Sequence, residues 1–183
     1  MTYNYRDDPV LGTALAYWIE KRGDRRMPSR RDIDPIEIPR KTLPNLQIID
    51  VINGGARFRY RLVGTATVEA YGEDFTGRYP DEIFPSELRD FIHGIYRQVG
   101  VWKAPLFLSN RYVTAKGFEL ASQRIYMPLS DDDAEVRHIL GVLTFEYNTS
   151  AGADRWRDGA ALIPASAYVE QVDIASPVSV AAN

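Results

Sequence analysis

The pattern of hydrophobic and polar residues predicts a β-hairpin in the first half of the chain. The segment Asn45–Ile52 is rich in isoleucine and valine, and in the segment Arg57–Val63 apolar side chains alternate with arginines. Such alternation is typical of half-buried strands. Asn53–Gly55 lies between the two segments, and its residues adopt positive φ with little strain, so the pattern predicts a tight turn there.

Helical periodicity predicts three helices. The first begins after a cap at Asp8 and ends at Gly23. A short second helix is expected from Thr65, as its cap, to Gly72. The third is expected over Pro85–Val99, with Gly100 as its end.

Three further strands are predicted after the third helix, at 104–114, 118–127 and 137–147. Lys116 and Gly117 form the first turn between them, and the acidic segment Ser130–Asp133 forms the second. Its aspartates lack the alternating spacing of a calcium loop, so a solvated hairpin tip is favoured. The proline-rich segment 23–44 is expected to be a linker over the domain, fixed to the core by Ile33, Ile36 and Ile38.

Four segments together resemble the PAS sensory domains, and more closely a bacterial group of stand-alone PAS proteins. They are MPSRRDIDPIEIPR at 27–40, RFRYRLVGT at 57–65, YGEDFTGR at 71–78 and MPLSDD at 127–132. The resemblance covers roughly residues 13–147, and it implies an α+β fold with a five-stranded antiparallel sheet, helices on one face and a regulatory role. It does not supply a ligand.

The resemblance and the composition divide the chain into three segments. Residues 1–44 form an N-terminal amphipathic helix and linker, residues 45–147 form the PAS-like domain, and residues 148–183 form a C-terminal extension or tail. The tail carries too little periodic pattern for a domain, and its apolar residues are expected to dock on the sheet or on a neighbouring molecule.

Charge and cysteine content narrow the functional classes. The 183 residues contain 22 basic and 25 acidic side chains, so the net charge of -3 argues against general attraction to nucleic acid or to a membrane. Basic residues gather between Lys21 and Arg31, but aspartates interrupt them and a solvated connector is favoured over a phosphate contact. The chain has no cysteine, which excludes the cysteine-linked chromophores of some PAS photosensors. A cytoplasmic location is expected because no leader or apolar span is recognised.

In a PAS domain the third helix forms one wall of a ligand cavity, and the resemblance therefore implies a candidate pocket for a small apolar or aromatic ligand. Directing hydrogen bonds are expected from Tyr60, Ser122 or Tyr126. A closed aromatic core without a ligand remains the alternative. The candidate pocket residues are Tyr60, Leu62, Tyr71, Ile83, Phe84, Phe91, Ile92, Ile95, Leu106, Ser122, Tyr126 and Leu143.

The sequence contains little evidence for a catalytic site or a cofactor site. His93 is the residue that suggests haem, but its helical angle places it away from the apolar stripe, toward solvent or a partner, so haem is disfavoured. No cofactor and no metal are expected. Asp50 and Glu146 are candidates for buried carboxylates of raised pKa, although strand carboxylates more often face solvent.

We therefore expect a stand-alone PAS-like sensor or adaptor whose output passes through a protein partner. The first helix presents Leu11, Leu15, Trp18 and Ile19 either to the sheet, which is favoured, or to a second subunit in a homodimer. The alternatives are a protein-interaction module without ligand and a small-molecule enzyme in a cone-shaped α+β fold.

Overall fold

A six-stranded antiparallel sheet is the centre of the computed structural model, which describes residues 4–113, 119–147 and 164–175. The strand order is β2-β1-β5-β4-β3-β6, and every neighbouring pair is antiparallel. The predicted α+β class is confirmed, and the expectation of five strands is wrong. The strands are β1 Leu46–Ile52, β2 Arg57–Val63, β3 Leu106–Val113, β4 Glu119–Leu129, β5 His138–Tyr147 and β6 Pro164–Gln171.

The sixth strand comes from the segment that the sequence indicated as a tail. β6 pairs with β3 along its length, and its side chains Tyr168 and Val169, on opposite faces, are 51% and 36% exposed. A strand held mainly by backbone hydrogen bonds needs no alternation of apolar residues, so the sequence pattern gave no sign of it. The proposed division at residues 44 and 147 stays a prediction. The predicted turn at Lys116 and Gly117 lies outside the described residues.

The predicted hairpin is confirmed, with one irregularity. Asn53, Gly54 and Gly55 make the turn with φ of 49°, 66° and 93°. Tyr60 pairs with Ile49 and Leu62 pairs with Ile48, and Arg61 between them has no partner in β1. This β-bulge interrupts the alternation, so Tyr60 and Leu62 lie on opposite faces of the sheet.

The second and third helices, α2 (Thr65–Tyr71) and α3 (Ser86–Trp102), cover one face of the sheet, which we call the helix face. The Tyr96 ring of α3 packs against Phe58 and Tyr126, at 5.2 Å from each. α2 ends at Gly72, as predicted, but it begins after Gly64 without a side-chain cap, so the capping role of Thr65 is wrong. α3 continues through Gly100, whose predicted role as its end is wrong.

The first helix, α1 (Leu11–Arg22), covers the opposite or outer face. The Asp8 carboxylate accepts hydrogen bonds from the backbone N–H groups of Val10 and Leu11, both at 2.7 Å, as expected for a cap. Trp18 is fully buried and its Nε1 donates to the Pro128 carbonyl at 2.9 Å. No helix among the described residues is long and apolar enough to cross a bilayer.

The apolar stripe of α1, the candidate interface, is buried within one chain. Leu11, Leu15 and Trp18 are 0% exposed and Ile19 is half-buried within one chain. Intramolecular burial, the favoured alternative, is confirmed. Within one chain these side chains are covered, and contacts of the buried ones with a second subunit would require α1 to leave the sheet. A homodimer through this stripe stays a prediction.

The linker is fixed to the turn between β4 and β5. The Met27 N–H donates to Asp133 at 2.9 Å, and the Ser29 hydroxyl donates to Asp131. The acidic turn therefore holds the linker in place and is more than a solvated tip. Ile33 and Ile38 are buried as expected, but Ile36 is 91% exposed and does not fix the linker to the core.

Candidate ligand-binding site

An aromatic cluster lies between the helix face of the sheet and the segment joining α2 to α3. Tyr60 of β2 contacts Phe75 with ring centroids 4.7 Å apart, and Phe75 lies 6.0 Å from Phe84. Tyr71 at the end of α2 is 5.8 Å from Phe84 and 6.2 Å from Phe145 of β5. Most of these pairs meet edge to face, the arrangement that aromatic quadrupoles favour.

Three buried phenols continue the cluster toward the middle of the sheet. The hydroxyl groups of Tyr60 and Tyr96 are 3.1 Å apart and hydrogen-bonded, and Tyr96 packs on Tyr126. Burial raises the pKa of Tyr60, Tyr96 and Tyr126 above the usual value for a phenol. All three therefore stay protonated near neutral pH and act as uncharged hydrogen-bonding groups.

A polar row crosses the helix face on β4. Ser122, Arg124 and Tyr126 alternate along the strand and so project to the same side. Arg124 is only 2% exposed; its Nε donates to Ser122 Oγ at 2.7 Å and its Nη2 donates to the Tyr71 hydroxyl at 3.1 Å. A permanently charged guanidinium thus lies within an aromatic wall, where burial of a charge is costly unless polar groups surround it.

Two amide side chains on the same face have unsatisfied atoms. Asn110 of β3 is directly opposite Ser122 and is 3% exposed, yet neither its Nδ2 nor its Oδ1 has a hydrogen-bond partner. Gln47 of β1 is also 3% exposed, and its Oε1 has no partner. Buried polar atoms are nearly always hydrogen-bonded, because leaving one unpaired costs about 1–3 kcal/mol.

Most of the predicted pocket residues lie on or beside the helix face. Fully buried there are Tyr60, Ile92, Ile95, Leu106, Ser122, Tyr126 and Leu143. Half-buried at its edge are Tyr71, Ile83, Phe84 and Phe91. Leu62 does not lie in the predicted pocket wall. It is 41% exposed and lies on the outer face, because the bulge at Arg61 reverses its direction. Whether the other eleven contact a ligand stays a prediction.

Several polar or aromatic groups of this face were not predicted from the sequence, among them Arg124, Asn110, Tyr96 and Phe75. Arg124 stands between Ser122 and Tyr126, which were both chosen, so strand alternation was sufficient to find it. Asn110 follows Leu106 and Leu108 at the same spacing. Tyr96 lies one helical turn after Ile92. Phe75 lies in an irregular segment, where no periodicity is available to identify it.

His93 differs from its prediction. It is half-buried rather than exposed, with its ring 5.4 Å from that of Phe58, and its Nε2 is buried without a hydrogen-bond partner. Tyr96, three residues further along α3, widens the buried stripe toward the side of the helix that carries His93. The expectation that haem is disfavoured stays a prediction.

The two carboxylates considered for acid/base chemistry lie on the outer face, away from the aromatic cluster. Glu146 is exposed. Asp50 is buried and accepts hydrogen bonds from Arg59 at 2.8 Å and Arg61 at 2.6 Å. Burial alone raises the pKa of Asp50, but the two arginines outweigh it and the pKa is lowered. The prediction of a raised pKa for Asp50, which a neutral-pH acid or base requires, is therefore wrong.

The buried ionisable groups give the stability a defined pH dependence. Burial lowers the pKa of His93 and His138 below the usual 6.5. For His138 this effect of burial, with smaller contributions from Arg61 and Arg30, outweighs the attraction of Asp50, 3.1 Å away. Just below pH 6.5 the unfolded chain binds more protons, so the free energy of unfolding is expected to fall as the pH decreases. Asp50 adds a further loss at lower pH, below its unfolded pKa.

Urea denaturation between pH 7.5 and 4.5 measures this effect. Replacing both histidines with glutamine is expected to flatten the curve between pH 7 and 5 and to leave the acid loss from Asp50. A wild-type stability that rises on acidification through pH 6 contradicts the assignment.

Comparison with protein families places these features in context. A family model described as a PAS domain matches residues 7–144, about three quarters of the chain. The chain belongs to the PAS domain family. Membership of this family indicates a sensory or regulatory role. A comparison with curated proteins found no match.

Solved structures with similarity to this PAS domain include three of VqmA, and the chain spans about half of each. The complex of Vibrio cholerae VqmA with ligand and DNA has 16% identity, covers 57% of this chain and 47% of that chain, and has a TM-score of 0.41. VqmA bound to DPO has 16% identity, coverages of 58% and 54%, and a TM-score of 0.41. A Vibrio cholerae VqmA dimer without target DNA has 15% identity, coverages of 58% and 48%, and a TM-score of 0.40. The expectation that nucleic acid is excluded as a partner stays a prediction.

Proposed function

We propose that this PAS domain is a sensory module that binds a small molecule against the helix face of its sheet. The observation that carries the proposal is Asn110, whose buried amide has neither its donor nor its acceptor paired. A well-packed core without a ligand favours an apolar residue at such a position. A bound molecule with a polar edge supplies the two missing hydrogen bonds.

The surroundings of Asn110 define the ligand further. Ser122 opposite it accepts a hydrogen bond from Arg124, so the hydrogen of the Ser122 hydroxyl is available to donate. The aromatic rings of Tyr71, Phe84 and Phe145 lie in the same region. The ligand is therefore a small molecule with an aromatic or apolar body and one polar edge that both accepts and donates.

Native mass spectrometry of protein purified from its own host tests this function directly. A stoichiometric additional mass is expected, and it is expected to leave on denaturation. A protein of bare mass, prepared without dialysis and at an expression level that does not exhaust the ligand in the host, contradicts ligand sensing and favours a docking module.

Replacing Asn110 with leucine, which has a similar volume, is expected to separate binding from stability. Removing the unpaired amide is expected to raise the free energy of unfolding of the ligand-free protein by about 1–3 kcal/mol. The same substitution is expected to abolish the additional mass, because the polar edge of the ligand loses its partner. Urea denaturation measures the first effect and native mass spectrometry the second.

Gln123→Leu is the matched control. Gln123 is 7% exposed with an unpaired Oε1, but it neighbours Ser122 in β4 and so faces the opposite, outer side. It is expected to gain stability while keeping the additional mass. If Asn110→Leu keeps the ligand, or if both variants lose it equally, the site is not on the helix face.

A docking function without a small ligand is the second candidate, favoured by the exposed edge strand β6. Tyr168 and Val169 offer apolar surface on its two faces, next to an edge that a partner strand can extend. A partner that binds the bare protein, and that is lost when Tyr168 is replaced with serine, supports this candidate over sensing. The cytoplasmic location stays a prediction.

A further inference from the structure

A concave site outside the aromatic cluster lies where the C-terminal ends of α1 and α3 meet the end of β6. The pocket has a volume of about 510 Å³ and is lined by Arg22, Arg26, Trp102, Lys103 and the segment 171–174. None of these residues belongs to the aromatic cluster or the polar row of the helix face. The volume is within the usual range for small-molecule sites, about 300–1,000 Å³.

Three cationic side chains and one carboxylate line this pocket. Among the described residues, Arg22, Arg26 and Lys103 make no ion pair, and the Nε of Arg22 is buried without a hydrogen-bond partner. Arg26 donates from Nη2 to the carbonyl of Trp102 at 3.2 Å. The lining contains one carboxylate, Asp173, so its side chains carry a net charge of +2, which the partial negative charges at the C-terminal ends of α1 and α3 reduce.

Neighbouring cations in the same basic segment behave differently. Lys21 is paired with Glu37, and Arg25 is paired with Asp32. The carboxylates of Glu37 and Asp32 thus neutralise these two side chains, neither of which lines the pocket. The two arginines that line the pocket, Arg22 and Arg26, have no carboxylate partner among the described residues.

Helix-end electrostatics explain only part of this arrangement. A basic residue in the last turn stabilises a helix, which accounts for Lys21 and Arg22 at the end of α1, whereas the last turn of α3 has no basic residue. Lys103, however, ends α3 with φ of 50°, a left-handed conformation that glycine adopts more readily. A lysine at this position places a positive charge in the pocket at a cost in backbone energy.

We propose that this pocket binds the phosphate group of a small phosphate monoester that also carries a planar ring, as nucleoside monophosphates do. A phosphate monoester has a charge of about −1.5 to −2 at pH 7, which complements the lining, and its oxygens accept hydrogen bonds from guanidinium groups. Trp102 lines the same pocket and offers an aromatic surface for the ring. The concave shape favours a small molecule over the extended backbone of a nucleic acid.

Titration of the full-length protein with AMP tests the proposal, followed by the indole N–H resonance of Trp102 in NMR spectra and by calorimetry. AMP is expected to shift that resonance and to bind at least tenfold more tightly than adenosine, with inorganic phosphate competing. The resonance is assigned with Trp102→Phe. Absence of binding at millimolar AMP, equal binding of adenosine, or tighter binding of a DNA duplex overturns the proposal.

Variants of matched charge complete the test. Arg22→Gln and Arg26→Gln are each expected to weaken AMP binding about tenfold or more, the loss of one charge-assisted contact. Arg25→Gln removes the same charge from the same segment and is expected to leave binding unchanged, since its cation is already paired with Asp32. Equal weakening in Arg25→Gln indicates general electrostatic attraction and overturns the site.

Lys103→Gly separates a loss of AMP binding from a loss of protein stability. Glycine suits the left-handed backbone at this position, so the midpoint of urea denaturation is expected to rise while AMP binding weakens. Unchanged AMP affinity in this variant removes Lys103 from the site and contradicts the proposed lining.

Discussion

Replacing Trp18 with alanine is expected to lower the free energy of unfolding by about 3–5 kcal/mol. The indole is fully buried between α1 and the outer face of the sheet, and its Nε1 donates to the Pro128 carbonyl at 2.9 Å. The substitution removes the largest of the fully buried side chains, leaves a cavity and deprives the carbonyl of its partner. Equilibrium urea denaturation with circular dichroism measures the change.

Trp18→Phe separates the two contributions. The phenyl ring keeps most of the packing and loses the hydrogen bond, so a smaller loss of about 1–2 kcal/mol is expected. If Trp18→Ala leaves the unfolding curve unchanged and instead shifts the sedimentation of the protein toward a smaller species, then α1 contacts a second subunit and the intramolecular position is incorrect.

Gly64→Ala is expected to cost about 3 kcal/mol, at the upper end of the usual range for overpacking. A Cβ at this position would lie 2.8 Å from the Leu46 carbonyl oxygen and closer still to the carbonyl oxygen of Pro44. Both are backbone atoms and cannot rotate away. The Gly64 N–H also donates to the Leu46 carbonyl at 2.7 Å, so moving the chain apart breaks this hydrogen bond.

Gly94→Ala is the control for Gly64→Ala. Gly94 lies within α3, and a Cβ there meets no atom within 4 Å. Alanine has the higher helix propensity, so this variant is expected to gain about 0.5–1 kcal/mol. Thermal and urea unfolding of the two variants are therefore expected to change in opposite directions. Equal behaviour indicates that the approach of Gly64 to the linker is looser than the structure shows.

Features set by neighbouring residues were predictable from the sequence. The turn at Asn53–Gly55 requires positive φ, and asparagine and glycine are the residues that adopt positive φ with little strain. The first helix was located by its stripe and by Asp8. Gly72, with φ of 74°, ends α2 where a left-handed residue was expected.

Features set by distant residues were not predictable. The bulge that turns Leu62 outward depends on how β1 and β2 align, which alternation within β2 alone does not reveal. β6 exists because β3 offers it backbone partners, and its own side chains carry no sign of that pairing. The end of α3 was predicted at Gly100, but the helix continues until Lys103 adopts the left-handed conformation.

The candidate site shows the same division. Its apolar wall was accessible because helical and strand periodicity mark which side of an element is buried. Its polar groups were harder to choose, since Asn110 and Arg124 resemble ordinary surface residues until strand pairing places them opposite Ser122 and next to Tyr71. Polar residues on a buried face depend on three-dimensional neighbours that a linear pattern does not specify.

Strand β4 has a consequence for how such a protein transmits information. On one side it carries Arg124 and Tyr126, and two residues beyond Tyr126 its backbone carbonyl at Pro128 is held by Trp18 on the other side. A strand is a single layer of backbone, so a displacement caused by an occupant on one side moves the anchoring point of α1 on the other. The sheet thereby provides a short mechanical connection through its own thickness, without a hinge or a separate lever arm.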